Sequence, residues 1–332
     1  MQPHQLHPQI NSDFKAVNQF ILEHLHSGVP LVEKIGHYIT ESGGKRIRPL
    51  LVLLSARACQ SDQHDQPAAD YLADRHISLA ANIEFIHTAT LLHDDVVDTS
   101  DLRRGKATAN AKWGNAPSVL VGDFLYSRSF QLMVELGSME IMKIISNATN
   151  IIAEGEVLQL LNCKNPDVSE ENYMKVILGK TAMLFEAAAE SGAVIANATK
   201  DQQEAMRLFG RHIGIAFQLI DDVMDYESSS DEMGKNVGDD LAEGKPTLPL
   251  IYAMREGNEQ QAQLIRQAIR KGGLEDLEPI SQAVKYTGAI EYTHKKAREQ
   301  ADLAIACLQR LPANEFRNIL EQLAESAVSR RS

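Results

Sequence analysis

The chain has 332 residues, 44% hydrophobic and 23% charged, with a formal net charge of −12. That balance suits a soluble globular protein and argues against nucleic acid as a partner. Its three cysteines, Cys59, Cys163 and Cys307, lie far apart without a CxxC pair, which argues against a disulfide framework or a zinc site and suits a reducing cytosol.

The opening residues MQPHQLHPQINS lack signal or transit character, and residues 1–12 are predicted to be a polar tail. No run reaches the ~20 apolar residues of a membrane span, so a cytoplasmic location is expected. Helical periodicity then dominates. Segment 14–39 is apolar at three- and four-residue spacing, with an interruption at Gly28-Val29-Pro30. A loop, ESGGKRIRP, leads into LLVLLSARACQ, which suits a buried helix, and polar residues 61–70 read as a loop. Residues 71–98 form one long predicted helix. Residues 118–136, 140–162, 170–191, 201–226, 247–256 and 259–271 follow, and 280–329 holds two or three more. Strand-type alternation is nearly absent, and no NG or DG hairpin signal occurs. The expected fold is all-α, with residues 13–332 as one domain. One long polar stretch, 227–246, stands out, since a loop of that length inside a compact domain is usually functional.

Two segments carry Asp-Asp-x-x-Asp behind apolar residues: LLHDDVVD at 91–98 and FQLIDDVMD at 217–225. Each helical residue advances about 100°, so Asp94 and Asp98 lie about 40° apart on one face, as do Asp221 and Asp225. Asp95 and Asp222 are offset. Like charges at this spacing destabilise a helix, and burial makes that worse unless a cation neutralises them. One such cluster is as often a solvated acidic face; two identical ones call for a metal. A set of hard oxygen donors favours Mg²⁺ or Mn²⁺, and Mg²⁺ is usually shared with substrate phosphates. Basic residues fit that reading. Lys45 and Arg48 lie in GGKRIRP, Arg103, Arg104 and Lys106 follow the first cluster, Lys180-Thr181 sits in a helix, and Lys235 and Lys245 occupy the long loop. Arginine forks match phosphate oxygens, and lysines act as point charges.

In order, GGKRIRP, LLHDDVVD, LRRGK, GKT at 179–181, FQLIDDVMD and GKNVGDDLAEGKPT resemble the trans-polyprenyl diphosphate synthases, from about residue 13 to the C-terminus. Within that family the likeness is to the bacterial long-chain group that supplies quinone side chains. The resemblance implies an isoprenoid-synthase bundle around a central cavity, a homodimer, and three Mg²⁺ held on an allylic diphosphate by facing aspartate motifs. Asp94 and Asp98 would hold two metals and Asp221 the third, supported by Asp222 and Asp225. Lys180, Thr181, Gln218, Lys235, Lys245 and Arg103 would contact the allylic diphosphate. Lys45, Arg48, His87 and Arg104 would bind isopentenyl diphosphate. His87 taken alone reads as a core histidine; its place upstream of the aspartates and the family pattern assign it to substrate. His93 reads as structural.

Ala89 and Thr90, one turn before Asp94, are small, whereas short-chain members of the family commonly place aromatic residues there. That implies an open tunnel and a long product, octaprenyl or nonaprenyl, grown from farnesyl diphosphate. Phe130, Leu132, Met133 and Leu136 can serve as its floor or equally as core. A farnesyl or geranylgeranyl synthase, a non-catalytic subunit of a heteromeric synthase and a class I terpene cyclase stay open as alternatives. Membrane contact is expected at most transiently, as a long apolar product leaves.

Overall fold

Where apolar residues recur at helical spacing the chain is helical. The computed structural model describes residues 7–60, 72, 74–227 and 238–329. The helices are α1 (Pro8–His24), α2 (Pro30–Glu41), α3 (Ile47–Ala58), α4 (Arg75–Val97), α5 (Ala109–Trp113), α6 (Asn115–Leu136), α7 (Met139–Asn162), α8 (Glu170–Ile177), α9 (Met183–Ile195) and α10 (Lys200–Glu227). After them come α11 (Asp239–Ala242), α12 (Leu248–Glu256), α13 (Glu259–Lys271), α14 (Leu277–Tyr286), α15 (Ala289–Cys307) and α16 (Glu315–Val328). A two-residue ribbon, β1 (Leu102–Arg103) against β2 (Lys106–Ala107), is the only sheet among the described residues. The all-α expectation holds.

Two boundaries differ from the periodicity for a local reason, and one falls where it is expected. Helix α1 begins at Pro8, so residues 8–12 are helix rather than tail. The His7 ring accepts a hydrogen bond from the Gln9 amide (3.2 Å) as a cap, and Ile10, Asp13, Val17 and Ile21 form one buried face. The interruption predicted at Gly28-Val29-Pro30 separates α1 from α2, with Pro30 in the first turn of the new helix. The predicted helix over 170–191 is broken at Leu178–Ala182 by a π turn between α8 and α9. Residues 61–70 and residues 228–237 of the long polar stretch lie outside the described residues; its described end contains α11.

The chain divides into two compact units. The first draws on Met1–Asn147, Leu184–Gly210 and Cys307–Gln322. Within it α3 is buried on all sides from Pro49 to Ala58, and α4 from His76 to Asp95 is buried on most. A buried polar network ties three of its helices. Arg57 of α3 donates to both carboxylate oxygens of Asp13 in α1 (3.0 and 2.9 Å), and His76 of α4 stands 3.4 Å from the same carboxylate. Burial alone would raise the Asp13 carboxyl, but hydrogen bonds from His76 and Arg57 and the charge of Arg57 bring it below the usual range.

The second unit draws on Ala148–Met183, Arg211–Ala306 and Leu323–Ser332. Here α10 feeds two apolar clusters. Leu219, Ile220 and Met224 pack with Tyr173, Ile177 and Leu248. Val223 and Tyr226 pack with Leu250, Ile265 and Val284. Among the described residues no helix is long and apolar enough to cross a membrane.

Removing one partner of a buried ion pair leaves a charge stranded. Asp13→Ala is therefore expected to lower unfolding free energy by about 3–5 kcal/mol in urea titration. A loss below about 1 kcal/mol would mean that Arg57 finds another acceptor. Because the folded Asp13 carboxyl is depressed, its contribution should be present above its ordinary range and lost as pH falls through the folded value.

Candidate active site

In the first unit α4 presents Glu84, His87, Ala89, Thr90, Asp94 and Asp95, and Asp98 is its C-cap. Asp98 keeps a right-handed helical backbone and its amide donates to the Asp94 carbonyl (2.8 Å), so the two carboxylates stay one turn apart. Both residues are half-buried. Asp95 is fully buried, and its Oδ1 accepts from Arg103 Nε (2.8 Å) and Nη2 (2.7 Å). The ribbon positions Arg103 for this, so this predicted diphosphate contact is engaged with the first motif's own middle carboxylate. Strand periodicity cannot reveal a pairing of two residues with two.

Arg104 next to it has positive φ (53°) and donates from Nη1 to the Gly43 carbonyl. The loop bends round this guanidinium. Gly44 has φ +132°, a conformation that favours glycine, and a Cβ there would stand 2.4 Å from Arg104 Nη1 and push that side-chain end aside. Arg48 lies over the Phe185 ring (4.4 Å to the centroid), with its Nη1 3.1 Å from His87 Nε2. Burial, then Arg48, Arg104 and Arg103, hold the His87 pKa well below its ordinary value. The ring is therefore neutral, accepting at Nε2 and carrying its proton on Nδ1. Lys45 is exposed on the same loop. Ala89 is fully buried, and the half-buried Thr90 donates its hydroxyl to the His87 carbonyl (2.8 Å). Leu132, Met133 and Leu136 are buried and Phe130 half-buried. His93 is used in packing, with Nε2 3.2 Å from the Val119 carbonyl and 3.3 Å from Asp123.

In the second unit α10 carries Gln218, Asp221, Asp222 and Asp225. Asp221 is half-buried, whereas Asp222 and Asp225 are buried. Asp222 accepts from Tyr173 Oη (2.5 Å) and Gln218 Nε2 (2.8 Å), and Gln218 Oε1 accepts from Thr181 Oγ1 (2.9 Å). Burial and the charge of Asp240 push the Asp222 carboxyl well up, against the two donors that favour its ionised form. Asp225 accepts from the amides of Gly238 (3.1 Å) and Asp240 (3.3 Å). Lys180 is paired with Glu156 (2.7 Å) and Lys245 with Glu243. Lys235 lies outside the described residues. The π turn that carries Lys180 and Thr181 lies against α7 at Gly155, where a Cβ would be 2.6 Å from the Lys180 nitrogen. Glu84, Glu156 and Tyr173 escaped the sequence reading. Tyr173 had a signal, standing seven residues, about two helical turns, before Lys180.

Each motif thus has a pattern. In the first, two half-buried carboxylates flank one that the protein supplies with donors; in the second, one half-buried carboxylate precedes two that are so supplied. Among the described residues no three Asp, Glu, His or Cys side chains group as a complete metal cage. All-oxygen donors in ones and twos fit Mg²⁺, which takes one or two carboxylates and fills its octahedron with water and phosphate oxygens.

The Polyprenyl synthetase family pattern matches residues 29–287. Octaprenyl diphosphate synthase of Escherichia coli (strain K12) is 54% identical over 319 residues, 96% of each chain. An all-trans-nonaprenyl-diphosphate synthase (geranyl-diphosphate specific) of Rhodobacter capsulatus is 47% identical, over 97% of this chain and 96% of its own. A solved polyprenyl synthase from Caulobacter crescentus, complexed with calcium and isoprenyl diphosphate, superposes with a TM-score of 0.91 at 43% identity, over 98% of this chain and 97% of its own. The chain belongs to the polyprenyl synthetase family, and its fold is the all-α isoprenoid-synthase fold.

At Gly155 the neighbouring atoms are backbone and cannot yield as a flexible side chain would. Gly155→Ala is expected to cost about 1–3 kcal/mol of stability and, by displacing Lys180, to reduce turnover about tenfold or more. Gly28→Ala, with nothing within 4 Å of the added carbon, is the neutral control in the same melting and rate measurements.

Proposed function

We propose that this chain is a Mg²⁺-dependent prenyltransferase that extends an allylic diphosphate, farnesyl diphosphate first, with successive isopentenyl diphosphate units. The product is a long all-trans polyprenyl diphosphate, octaprenyl or nonaprenyl, for quinone side chains. The observation that carries this reading is the 54% identity, over nearly the whole length of both chains, with a protein named octaprenyl diphosphate synthase.

In this reading Asp94, Asp98 and Asp221 hold the metals, with Asp222 and Asp225 behind Asp221. Three Mg²⁺ per site are expected, and Mn²⁺ can replace them. When bound, the metal supplies positive charge to the diphosphate as it departs. Lys180, Thr181, Gln218, Lys235, Lys245 and Arg103 orient that diphosphate. Lys45, Arg48, His87 and Arg104 hold isopentenyl diphosphate. The C–O bond of the allylic substrate breaks with its electron pair leaving on the diphosphate. The isopentenyl double bond then adds to the allylic cation, and a proton lost to the departed diphosphate restores a double bond. Apolar helix walls shield the cation from water, and the fully buried Ala89 and the half-buried Thr90 line the start of the path for the growing chain. The chain acts as one domain, as a homodimer in the cytoplasm, touching a membrane only as product leaves.

Purified protein with Mg²⁺, farnesyl diphosphate and labelled isopentenyl diphosphate should give octaprenyl or nonaprenyl products after dephosphorylation and separation by length. Arrest at geranylgeranyl length would replace the reading with a short-chain synthase, and no elongation of farnesyl diphosphate would favour a farnesyl synthase or a non-catalytic subunit. Chelation with EDTA should stop the reaction and added Mg²⁺ restore it. Asp94→Ala should cut turnover by about a thousandfold or more; near-normal rates would remove Asp94 from the metal site. Ala89→Phe should shorten the product, and an unchanged length distribution would take Ala89 out of the tunnel wall.

A further inference from the structure

Glu84 is a largely buried carboxyl of the first unit, close to the basic cluster, that the proposed reaction does not use. It lies one turn before His87 on α4, with its side chain 13% exposed. Its Oε1 stands 3.8 Å from Arg46 Nε, and its Oε2 is buried without a hydrogen-bond partner among the described residues. Arg46, Arg48 and Arg104 all act on its charge, opposing the burial that raises its carboxyl. His87, in the same surroundings, is neutral.

Arg46 is itself a tie. Its guanidinium donates to Asn18 of α1 and to the Thr40 carbonyl of α2 (3.0 Å), while its backbone has positive φ (43°) where the loop turns into α3. A residue with a side chain held in that region needs surroundings that over-determine it. Arg103 has Asp95 as counter-charge; Arg46 stands beside Glu84, Arg104 feels both carboxylates through space, and the charge of Arg48 acts on Glu84. A carboxylate beside an anion site works against anion binding through space, so its presence needs another benefit.

We propose that Glu84 is a positioning residue: acting through Arg46, it fixes the Gly43–Arg46 loop that bears Lys45, and it holds Arg48 and Arg104 in the arrangement that receives isopentenyl diphosphate. This rests on the reading that these residues bind isopentenyl diphosphate. Glu84 touches no substrate. Its role is to keep three like charges converged before the anion arrives, so that binding does not have to assemble them.

The test is steady-state kinetics of the full chain with isopentenyl diphosphate and farnesyl diphosphate varied in turn, for wild type, Glu84→Gln, Glu84→Asp, Arg46→Gln and the double variant Glu84→Gln/Arg46→Gln. Glu84→Gln keeps the shape and removes the charge. It should raise KM for isopentenyl diphosphate about tenfold or more, the scale of one lost charge-assisted contact, and leave KM for farnesyl diphosphate unchanged. Glu84→Asp should recover part of the loss. Arg46→Gln should reproduce it, and the double variant should be no worse than the worse single one. An isopentenyl KM that is unchanged or falls, or both KM values rising together, overturns the proposal, as do additive effects in the double variant. Should Glu84→Gln not fold, as urea unfolding would show, the Arg46→Gln and Glu84→Asp comparison decides on the same KM criterion. A wild type that consumes no isopentenyl diphosphate overturns the functional reading itself, whereas equal KM values in wild type and variants overturn this proposal alone.

Discussion

A carboxylate taken out of water must meet a positive or protic group, and two carboxylates a turn apart must meet more than one. This constraint organises both aspartate motifs. The fully buried Asp95 is met by the Arg103 fork, Asp222 by Tyr173 and Gln218, and Asp225 by two backbone amides. The elements that deliver those donors are otherwise odd features: a ribbon of two residues a side, the helix ahead of a π turn, and a short helix of four residues. Each follows from the need to bring a donor to a carboxylate. With those supplied, Asp94, Asp98 and Asp221 are the half-buried carboxylates through which, in the proposed function, each motif reaches metal.

The same constraint runs in reverse where cations gather. Arg48 has an aromatic face and a neutral histidine, Arg104 has a carbonyl, and Arg46 has an amide oxygen, a carbonyl and a carboxylate. Burial beside arginines makes His87 an acceptor rather than a fourth cation. Neutrality at that position lets the cluster stay converged, and it makes the Arg48–His87 contact possible at all, since a doubly protonated ring has no lone pair to offer.

Much of the fold was legible because helices of this length repeat their apolar face several times. LLVLLSARACQ reads as buried and is, and Leu219-Ile220 before the aspartates marks an anchored helix. Illegible features share a cause: they are shorter than any period or rest on contacts distant in sequence. The cap at His7 is not of the usual Ser, Thr, Asp or Asn type, so α1 seemed to start later. The π turn changes hydrogen bonding without changing composition, and its requirement is written in Gly155, 25 residues before Lys180. Motif residues were read individually as substrate contacts, whereas the structure pairs Arg103 with Asp95, Lys180 with Glu156 and Thr181 with Gln218. Spacing says that a residue is polar and near a site; it does not say which neighbour holds it.

The row Tyr173–Asp222–Gln218–Thr181 has a direction. Both oxygens of Asp222 accept, which obliges Gln218 to turn its nitrogen inward and its oxygen outward. Thr181 must then spend its only hydrogen on that oxygen, and it faces away from the row with lone pairs alone. The polarity set by a buried tyrosine thereby reaches the threonine of the GKT segment three side chains on. A hydroxyl so committed can receive hydrogen from a water or an ammonium, but it can give none to a phosphate oxygen unless Gln218 releases it.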